Sequence, residues 1–382
     1  MAAIVAPTGP VARPALRVRR ATPHDNAALV ALTLACPMRG DIGLVSDRAP
    51  DFFALEPVEG ERWQVLVAED SGERIVGCIA VAARPAWLHG RAVSTLYVSD
   101  LKVHPDWRGG PAADLLEQAV RDVCEHIGGP DAPVLVTVLA GNRAMERRTP
   151  GPRGLPRLDR FATFEASSIP LAWRRPLPED ETAFTMRAAR PSDVEEMAAL
   201  WSLVAPTRQW TPAHDAASLH RFLSAAPGLD LGDVRLAIRP DGRIGAWGAV
   251  WDQSTFKRLR VTYWSPRLRV ARTLVNAVAS RTGACRLPEV GAPLPGATLA
   301  LACVPVTAPA AMRALLLDAC LLLHGRAAFL NVGLDVRDPL RAALRGLLAQ
   351  PTRVAAYATT PAGPWTGAAL DDRPMHCEIA LV

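Results

Sequence analysis

The sequence predicts an α/β (α+β) fold that is built twice. The first observation is an internal repeat, because residues 18–25 (VRRATPHD) match residues 186–193 (MRAARPSD). The second is a pair of hairpins, in which two apolar stretches flank a polar turn with glycine, at 70–72 and again at 240–242. Each half then continues with further strands and helices. We therefore expect two copies of one unit, and 382 residues suffice for two domains of roughly 100–200 residues each.

Composition excludes several classes of protein. Hydrophobic residues make up 49% and charged residues 21%, as in ordinary folded domains, so disorder over most of the chain is excluded. The most apolar stretch, 312–324, is interrupted by Arg313 and Asp318 and is shorter than the roughly 20 residues of a membrane helix. Residues 1–15 contain three prolines and no basic region, unlike a secretory signal. We therefore expect a cytoplasmic protein without a membrane partner.

Charge and cysteine usage predict neither a nucleic-acid surface nor a metal site. The net charge of +5 comes from scattered arginines, so no clear nucleic-acid surface is indicated, although mild basicity suits a small anionic ligand. The seven cysteines form no CxxC pair and lie away from histidines at zinc-ligand spacing. Reduced, mostly buried thiols of a cytoplasmic protein are expected.

The elements of the first half follow in order. Thr22 is suited to cap a helix, Pro23 to its first turn and Asp25 to the helix dipole, so a short strand leads into a helix. Apolar periodicity then predicts a hairpin, a strand, an amphipathic helix and two further strands. The ranges are 65–68 and 75–81 for the hairpin, 95–103 for the strand, 111–127 for the helix, and 134–140 and 161–171 for the last strands.

The second half repeats this order, and a Pro-rich acidic stretch between the halves is typical of a linker. Its predicted elements are a hairpin at 235–238 and 244–250, strands at 298–306 and 328–334, and helices at 310–324 and from 339. The predicted organisation is a flexible tail at 1–15, a first domain at 16–175, a linker at 176–182 and a second domain at 183–382.

Residues 97–116, YVSDLKVHPDWRGGPAADLL, carry the clearest chemical signal. They predict a strand, a short basic Gly-rich turn and an amphipathic helix. Backbone N–H groups at such a turn and at the helix N-terminus converge on an anion, with help from the helix dipole. Gly109 and Gly110 allow close approach of the backbone to a ligand, and Arg108 adds positive charge. A phosphate-binding site is therefore predicted.

This stretch resembles the acyl-CoA motif of the GNAT superfamily of N-acetyltransferases. The family has Val-x-Pro at the end of a strand and then Arg/Gln-x-x-Gly-x-Gly/Ala at a helix start, matched here by Val103-His-Pro and Arg108-Gly-Gly-Pro-Ala-Ala. The Arg-Ala-Thr-x-x-Asp start of GNAT domains is matched at residues 20–25. The resemblance implies two tandem GNAT folds, the second one degenerate. Each would have a mixed, mostly antiparallel twisted sheet flanked by helices, with a splayed central strand.

The resemblance implies acetyl-CoA or another acyl-CoA as co-substrate. Backbone groups of the strand would bind the pantetheine arm and thioester, the turn and helix start would cradle the pyrophosphate, and an Asn after the next strand would contact the pantetheine arm. The implied binding residues are Leu101, Lys102, Val103, Arg108, Gly109, Gly110, Pro111, Ala112, Ala113 and Asn142.

Pro111 departs from the family pattern, which has glycine at this position. Proline lacks an N–H, although it is compatible with the first helical turn. Loss of one charge-assisted hydrogen bond, worth roughly 1.5–3 kcal/mol, would weaken CoA affinity about tenfold or more unless Gly110 compensates.

The acid–base candidates on the motif strand are Asp100, Tyr97 and Ser99. In the family a Glu-Asp pair often stands here, so Asp100 matches the Asp and Ser99 replaces the Glu. Strand alternation puts Tyr97 and Ser99 on one face and Asp100 on the other, but a β-bulge, frequent in this family, would reverse that parity. Asp100 is a candidate base or water-orienting group, the alternative being a structural carboxylate. Tyr97 could donate a proton to the leaving thiolate or could simply pack on the sheet.

The acceptor side is expected between the first helix and the hairpin. Arg39 and Asp41 could bind a carboxylate and an amine, although a solvated loop explains them equally well. Trp87, which precedes the motif strand, could line the same cleft.

The second copy lacks the Gly-rich turn, and Pro305 and Pro309 remove backbone donors at the corresponding place. Asp335 falls near the position of the family Asn. Cys303 could be a nucleophile, but without a positioned histidine a buried thiol is the simpler interpretation. This copy is expected to scaffold the first domain or to close its acceptor cleft.

These observations predict a metal-independent acyl-CoA N-acyltransferase that transfers the acyl group directly to an amine of a small molecule or a protein. One alternative is an acyltransferase with a carrier-protein or aminoacyl-tRNA donor. Another is a non-catalytic CoA-binding or structural protein. Monomer and homodimer both remain open.

Overall fold

The computed structural model describes residues 15–151, 157–175, 184–365 and 370–382. The predicted tail, apart from Ala15, and the predicted linker lie outside these residues.

The first half contains the predicted strand, helix, hairpin and motif strand, together with a short strand and a short helix that the sequence did not predict (β2 and α2). The elements are β1 Arg17–Arg20, α1 Asn26–Leu34, β2 Ile42–Asp47, α2 Glu56–Glu59, β3 Arg62–Glu69, β4 Ile75–Leu88, β5 Arg91–Val103, α3 Ala112–Gly128, β6 Val134–Leu139, α4 Arg143–Glu146 and β7 Asp159–Pro170.

The second half follows the same plan, with one long addition between β11 and β13. The elements are β8 Thr185–Ala188, α5 Val194–Val204, β9 Thr211–Pro212, α6 Ala216–Ala225, β10 Val234–Ile238, β11 Ile244–Trp251, β12 Arg258–Trp264, α7 Pro266–Thr282, β13 Gly296–Cys303, α8 Pro309–Leu323, β14 Phe329–Asp335 and β15 Gln350–Thr359. The helix predicted from residue 339 is a 3-10 turn, Pro339–Leu344.

Thirteen strands of the described residues form one sheet. Counted inward from its two edges, the sheet contains the strands of the two halves in equivalent order. The order is β1-β3-β4-β5-β6-β15-β7-β14-β13-β11-β10-β8, with β9 paired to the end of β4. Each strand of the first half has its counterpart at the mirrored position in the second half. A separate two-stranded sheet joins β2 to β12 and therefore also links the halves.

The two halves exchange their last strands at the centre of the sheet. β7 of the first half pairs with β14 and β15 of the second, and β15 lies between β6 and β7. The sequence predicts β7 but not β15, and it does not predict the exchange.

The repeated sequence performs the same structural task twice. The guanidinium of Arg19 donates to both carboxylate oxygens of Asp25 at 2.8 and 2.9 Å, and Arg187 donates to Asp193 at 2.6 and 2.8 Å. In each copy the carboxylate also accepts from the backbone N–H three residues earlier, at 2.7 Å. Each pair therefore fixes the entry from an edge strand into the first helix.

The first-half core lies on both faces of its strands, because successive strand residues point to opposite sides. Leu66 and Ile79 pack with Leu116 of α3, whereas Val65 and Cys78 pack with Leu29 of α1. Within the described residues, no helix is both long and apolar enough to cross a membrane.

Candidate functional site

The motif strand β5 separates from β6 after a short paired stretch. The two run parallel from Leu96 opposite Val134 to Val98 opposite Val136, and the pairing then stops. The rest of each strand, 99–103 and 137–139, continues without its neighbour. This opening is the splay that the sequence predicts for the central strand.

A β-bulge lies at the start of the splay. Lys102 stands opposite Cys78 and Ser99 opposite Ala80, so Asp100 and Leu101 together face a single residue of β4. The backbone of Asp100 is left-handed, with φ +52°. Val98 and Leu101 both pack on the α3 side as a result, so the parity of the strand is reversed beyond the bulge.

The Gly-rich turn connects this strand to the N-terminus of α3. Gly109 has φ +73° and open space where a Cβ would be, and Pro111 takes the N-cap position before Ala112. The Nε of Arg108 donates to the carbonyl of Val103 at 3.2 Å. The first N–H groups of a helix have no partner inside it, so the start of α3, which includes Ala113, can bind an anion beside Arg108 and Gly110.

Asn142 lies at the exposed end of β6. Its side-chain oxygen accepts from the N–H of Met145 at 3.4 Å and so caps the short helix α4. It follows Gly141, whose φ is +83°. The residue is therefore on the β6 side of the splay, across from the motif strand.

Asp100 is the centre of a group of charged side chains beside the bulge. It accepts hydrogen bonds from Lys102 Nζ and from Arg48 Nη1, the latter at 3.2 Å. Burial alone would raise the pKa of Asp100, but Lys102 and Arg48 outweigh burial and hold that pKa well below its usual range. Asp100 is thus a fixed anion and a weak base.

Two glutamates of α2 face this group, and the sequence analysis missed both. Glu56 and Glu59 are buried, and among the described residues neither oxygen of Glu56 nor Oε2 of Glu59 has a hydrogen-bond partner. Burial, with repulsion from Asp100, raises the pKa of Glu59 to about 7. Burial and Glu59 raise the pKa of Glu56 well above its ordinary value. Glu59 can therefore exchange a proton near neutral pH.

The second half contributes a lysine to the same group. Lys257 Nζ donates to the backbone oxygens of Val382 and Ala380 at 2.7 and 3.2 Å. Burial, together with repulsion from Arg48, lowers the pKa of Lys257 to about 8, against attraction from Asp100 and Glu59. We call this set the bulge cluster: Arg48, Glu56, Glu59, Asp100, Lys102 and Lys257.

Lysine usage was a signal that the sequence analysis did not use for the site. Lys102 and Lys257 are the only lysines among 43 basic residues, and both belong to the bulge cluster. A lysine loses its proton far more readily than an arginine when it is buried. Scarcity of lysine in an arginine-rich chain could therefore have pointed to both positions.

Tyr97 lies on the sheet face opposite α3, next to the splay. It is buried, and its hydroxyl makes a hydrogen bond of 3.1 Å with Thr137 Oγ1 on β6. Burial raises the pKa of Tyr97, so the phenol keeps its proton. Ser99, two residues on, has a buried Oγ without a partner among the described residues. A small cavity beside Tyr97 is also lined by Arg84, Trp210 and the segment 375–382.

The structure does not bring the predicted acceptor residues into this group. Arg39 and Asp41 are exposed on the loop before β2, where the Asp41 carbonyl accepts from the N–H of Ser265 at 2.9 Å. Trp87 packs against the hydrophobic core of the second half, and its carbonyl accepts from the N–H of Trp210 at 2.8 Å. Among the described residues, no hydrogen bond or ion pair joins the side chains of Arg39, Asp41 and Trp87 to one another or to the bulge cluster.

The second half repeats the splay and the bulge. β13 and β14 pair over Gly296–Phe329 to Thr298–Asn331 and then separate. Cys303 stands opposite Trp247 and Ala300 opposite Ala249, so Leu301, with φ +50°, occupies the place of Asp100. The backbone framework of the two sites is therefore the same.

A segment of the chain itself occupies part of the second splay. Residues 375–381, which we call the C-terminal plug, lie against β13 and β14, and a small cavity remains between them. Glu378 Oε2 accepts from the N–H of Leu301 at 2.7 Å, and the N–H of Met375 donates to Asp335 at 2.8 Å. A Cβ at Gly333 would lie 2.6 Å from the carbonyl oxygen of Cys377, so glycine is required for this contact. The Cys303 thiol is buried, and burial raises its pKa.

Comparisons with known proteins identify the fold. Neither a protein-family model nor a curated protein matches the sequence. Among solved structures, Saccharomyces cerevisiae N-myristoyltransferase with bound myristoyl-CoA is similar with a TM-score of 0.61, at 13% identity, over 94% of this chain and 86% of that one. A GCN5-related glucosamine N-acetyltransferase region of a fungal multi-domain GH3 β-N-acetylglucosaminidase matches with a TM-score of 0.58, at 13% identity, over 91% of this chain and 38% of that one.

A GCN5-related N-acetyltransferase from Sphaerobacter thermophilus matches with a TM-score of 0.53, at 13% identity, over 93% of this chain and 98% of that one. At such identities the similarity establishes the fold alone. The chain has the GNAT fold, and the mirrored strand order shows that it contains this framework twice. The fold predicted from the sequence is thereby confirmed.

Proposed function

We propose that the chain is an acyl-CoA-dependent N-acyltransferase, with acetyl-CoA as the first donor to test. Its working site lies in the first domain, 16–175, and the second domain, 183–382, supports that site. One observation carries the proposal. Of the two equivalent splays in the described residues, the first adjoins a Gly-rich turn at a helix N-terminus and leaves its bulge N–H without a carboxylate of the C-terminal plug, whereas in the second splay Glu378 of the plug binds the bulge N–H.

The structural neighbours support an acyl-CoA donor. One of them is an N-myristoyltransferase with bound myristoyl-CoA, and the other two are described as N-acetyltransferases. In this chain the pyrophosphate would bind at Arg108, Gly109 and the start of α3. The pantetheine arm would enter the splay between residues 101–103 and Asn142.

The second half offers internal support for where the thioester lies. There the N–H at the bulge, on Leu301, binds a carboxylate oxygen of Glu378. The equivalent N–H in the first half belongs to Asp100. We infer that this N–H faces the thioester oxygen and stabilises the negative charge that develops on it during acyl transfer.

The chemistry is a direct transfer. The amine nitrogen of the acceptor attacks the thioester carbonyl, a C–N bond forms, the C–S bond breaks and CoA leaves as a thiolate. Glu59 receives the proton that the amine loses, since its pKa lies near neutrality, while ionised Asp100 attracts the ammonium form of the acceptor. Tyr97 keeps its proton and can donate it to the thiolate.

The test is release of free thiol from acetyl-CoA in the presence of a panel of small amines and lysine peptides. We expect thiol release that depends on the amine and is lost in Arg108→Glu. Binding of acetyl-CoA without any amine-dependent release would contradict the enzymatic proposal and favour a non-catalytic CoA-binding protein.

A further inference from the structure

The helix α7 carries an apolar stripe that is open to solvent. Val270, Leu274 and Val278 are 64%, 65% and 45% exposed and recur every four residues, so they share one face. Ala279 is the one residue of the helix that is buried. An apolar row of this kind on a helix that packs only along its other side is typical of an interaction surface.

All the charged side chains of α7 are positive, and one of them, Arg272, is paired with Glu289 at 2.7 Å. The helix contains four arginines and neither aspartate nor glutamate: Arg267, Arg269, Arg272 and Arg281. Residues 267, 270, 274, 277 and 281 follow the 3-4-3-4 spacing of a coiled-coil seam. Arg267 and Arg281 therefore stand at the two ends of a line whose middle is Val270, Leu274 and Ala277. We call this line the α7 seam.

The segment that presents the α7 seam is an addition to the repeated unit. In the first half β4 turns directly into β5 at His89–Gly90, whereas residues 252–295 separate β11 from β13 in the second. Its strand β12 is anchored on β2, where Arg258 and Arg260 pair with Asp47 at 3.0 and 2.7 Å. The addition is thus firmly held on one side and exposes α7 on the other.

We propose that the α7 seam binds an amphipathic helix of a partner protein, with aliphatic residues in its centre and acidic residues at both ends. Arg267 and Arg281 are 14 residues apart in the sequence, a separation of about 21 Å at 1.5 Å per residue. The acidic residues of the partner are therefore expected about two heptads apart. This proposal does not depend on the proposed acyltransferase activity.

The charges of the α7 seam favour a partner helix with acidic ends over a second copy of the chain. In an antiparallel pair of α7 helices Arg267 would face Arg281, and in a parallel pair each arginine would face itself, so both arrangements place like charges together. A bilayer is disfavoured because the exposed aliphatic side chains of this face are only Val270, Leu274 and Val278, flanked by Arg267 and Arg281, which is little apolar area for insertion.

The proposal is tested with synthetic three-heptad helical peptides and the full chain, without acyl-CoA. One peptide has leucine at the seam positions and glutamate at two positions two heptads apart, and its match has lysine in place of glutamate. We expect the glutamate peptide to bind roughly tenfold more tightly than the lysine peptide. Arg267→Glu with Arg281→Glu should reverse that preference.

Leu274→Glu should weaken binding of the glutamate peptide by roughly tenfold or more, because it introduces a charge into the apolar centre. Leu203→Glu is the matched control, since Leu203 is 74% exposed on α5 and lies outside the seam. Circular dichroism confirms that each variant is folded.

Three results would overturn the proposal. The first is equal binding of both peptides, or binding that Leu274→Glu leaves unchanged. The second is a dimer of the chain that Leu274→Glu dissociates, which would assign the seam to a second copy. The third is co-sedimentation with phosphatidylglycerol vesicles, but not with phosphatidylcholine vesicles, that Leu274→Glu abolishes.

Discussion

The two splays of this molecule have the same backbone geometry and differ in the side chains and segments that surround them. Both open after three residue pairs, and both have a bulge whose first residue is left-handed, Asp100 in one and Leu301 in the other. In the first half charged side chains gather at the bulge. In the second half the plug lies in the opening, and Glu378 binds the bulge N–H. The comparison teaches that one backbone framework can hold two different sets of side chains, so any difference in function between the two sites must come from those side chains.

The largest effect is expected for Glu59→Gln, which removes the group of the first splay whose pKa lies near neutrality. The wild-type rate should rise with pH through about 7, because Glu59 must lose its proton to act as a base. The variant should lose this rise and be slower by roughly 10²–10⁴-fold. A pH–rate profile with saturating acyl-CoA checks this, with exposed Glu61→Gln as the control.

The free energy of unfolding of Glu59→Gln distinguishes loss of a catalytic group from loss of the folded structure. The pKa of Glu59 is higher in the folded protein than in the unfolded chain, so its contribution to the free energy of unfolding falls as pH rises from about 4.5 to 7. Glu59→Gln should therefore increase the free energy of unfolding at pH 8 by roughly 1–3 kcal/mol and leave it nearly unchanged at pH 4. An inactive variant that is also less stable at pH 8 would contradict a catalytic role.

Arg108→Glu should weaken CoA binding at the first splay without changing the structure of the second half. A negative charge at the Gly-rich turn would repel the pyrophosphate, and the dissociation constant for CoA should rise by roughly 10–100-fold. Equilibrium dialysis measures this, with Arg326→Glu on the exposed end of the second half as the control. Equal weakening in both variants would indicate a general charge effect.

Gly333→Ala tests the plug. Its Cβ would lie 2.6 Å from the carbonyl oxygen of Cys377, so the variant should lose roughly 1–3 kcal/mol of stability. Amide hydrogen exchange should increase in residues 375–381. Gly296→Ala is the control, because its Cβ would meet no atom closer than 3.4 Å. Unchanged exchange in the plug would contradict its tight packing in the second splay.

Pro111→Gly should restore an N–H to the turn of the first splay. CoA should bind more tightly, by up to about tenfold, because one phosphate hydrogen bond is regained. Weaker binding would instead show that the rigidity of the proline matters more than the missing donor. The same titration that measures Arg108→Glu gives the answer.

The smallest effect is a shift of the pH profile in Asp100→Asn. Repulsion from Asp100 helps to raise the pKa of Glu59, so removal of this charge should move the rise in rate to lower pH. Asparagine tolerates the left-handed backbone at this position. A profile that moves upward, or does not move, would disconnect Asp100 from Glu59.

The sequence predicted much of the fold because its signals are local. The repeated Arg19–Asp25 and Arg187–Asp193 pairs, the two hairpins and the start of α3 all depend on residues close in the chain. The exchange of β7 and β15 was missed because strand pairing between halves has no local signal. β2 and β12 were missed for the related reason that they pair with each other across the halves.

For the candidate site, too, the sequence predicted the contiguous residues but not those that come from distant segments. The motif strand and turn are contiguous, so Asp100, Arg108 and Pro111 could be proposed from their order alone. Glu59 and Lys257 come from distant segments. Burial shifts both pKa values, with repulsion from Asp100 for Glu59 and repulsion from Arg48 for Lys257. The predicted roles of Arg39 and Asp41 had no such support, and the structure places both on an exposed loop.

The most direct test of the central claim is a calorimetric titration of the purified chain with acetyl-CoA and, separately, with CoA. The account predicts one binding event per chain, lost in Arg108→Glu and retained in Gly333→Ala. Two events per chain would contradict it, and so would a single event that survives Arg108→Glu but disappears in Gly333→Ala, because the working splay would then be the second one.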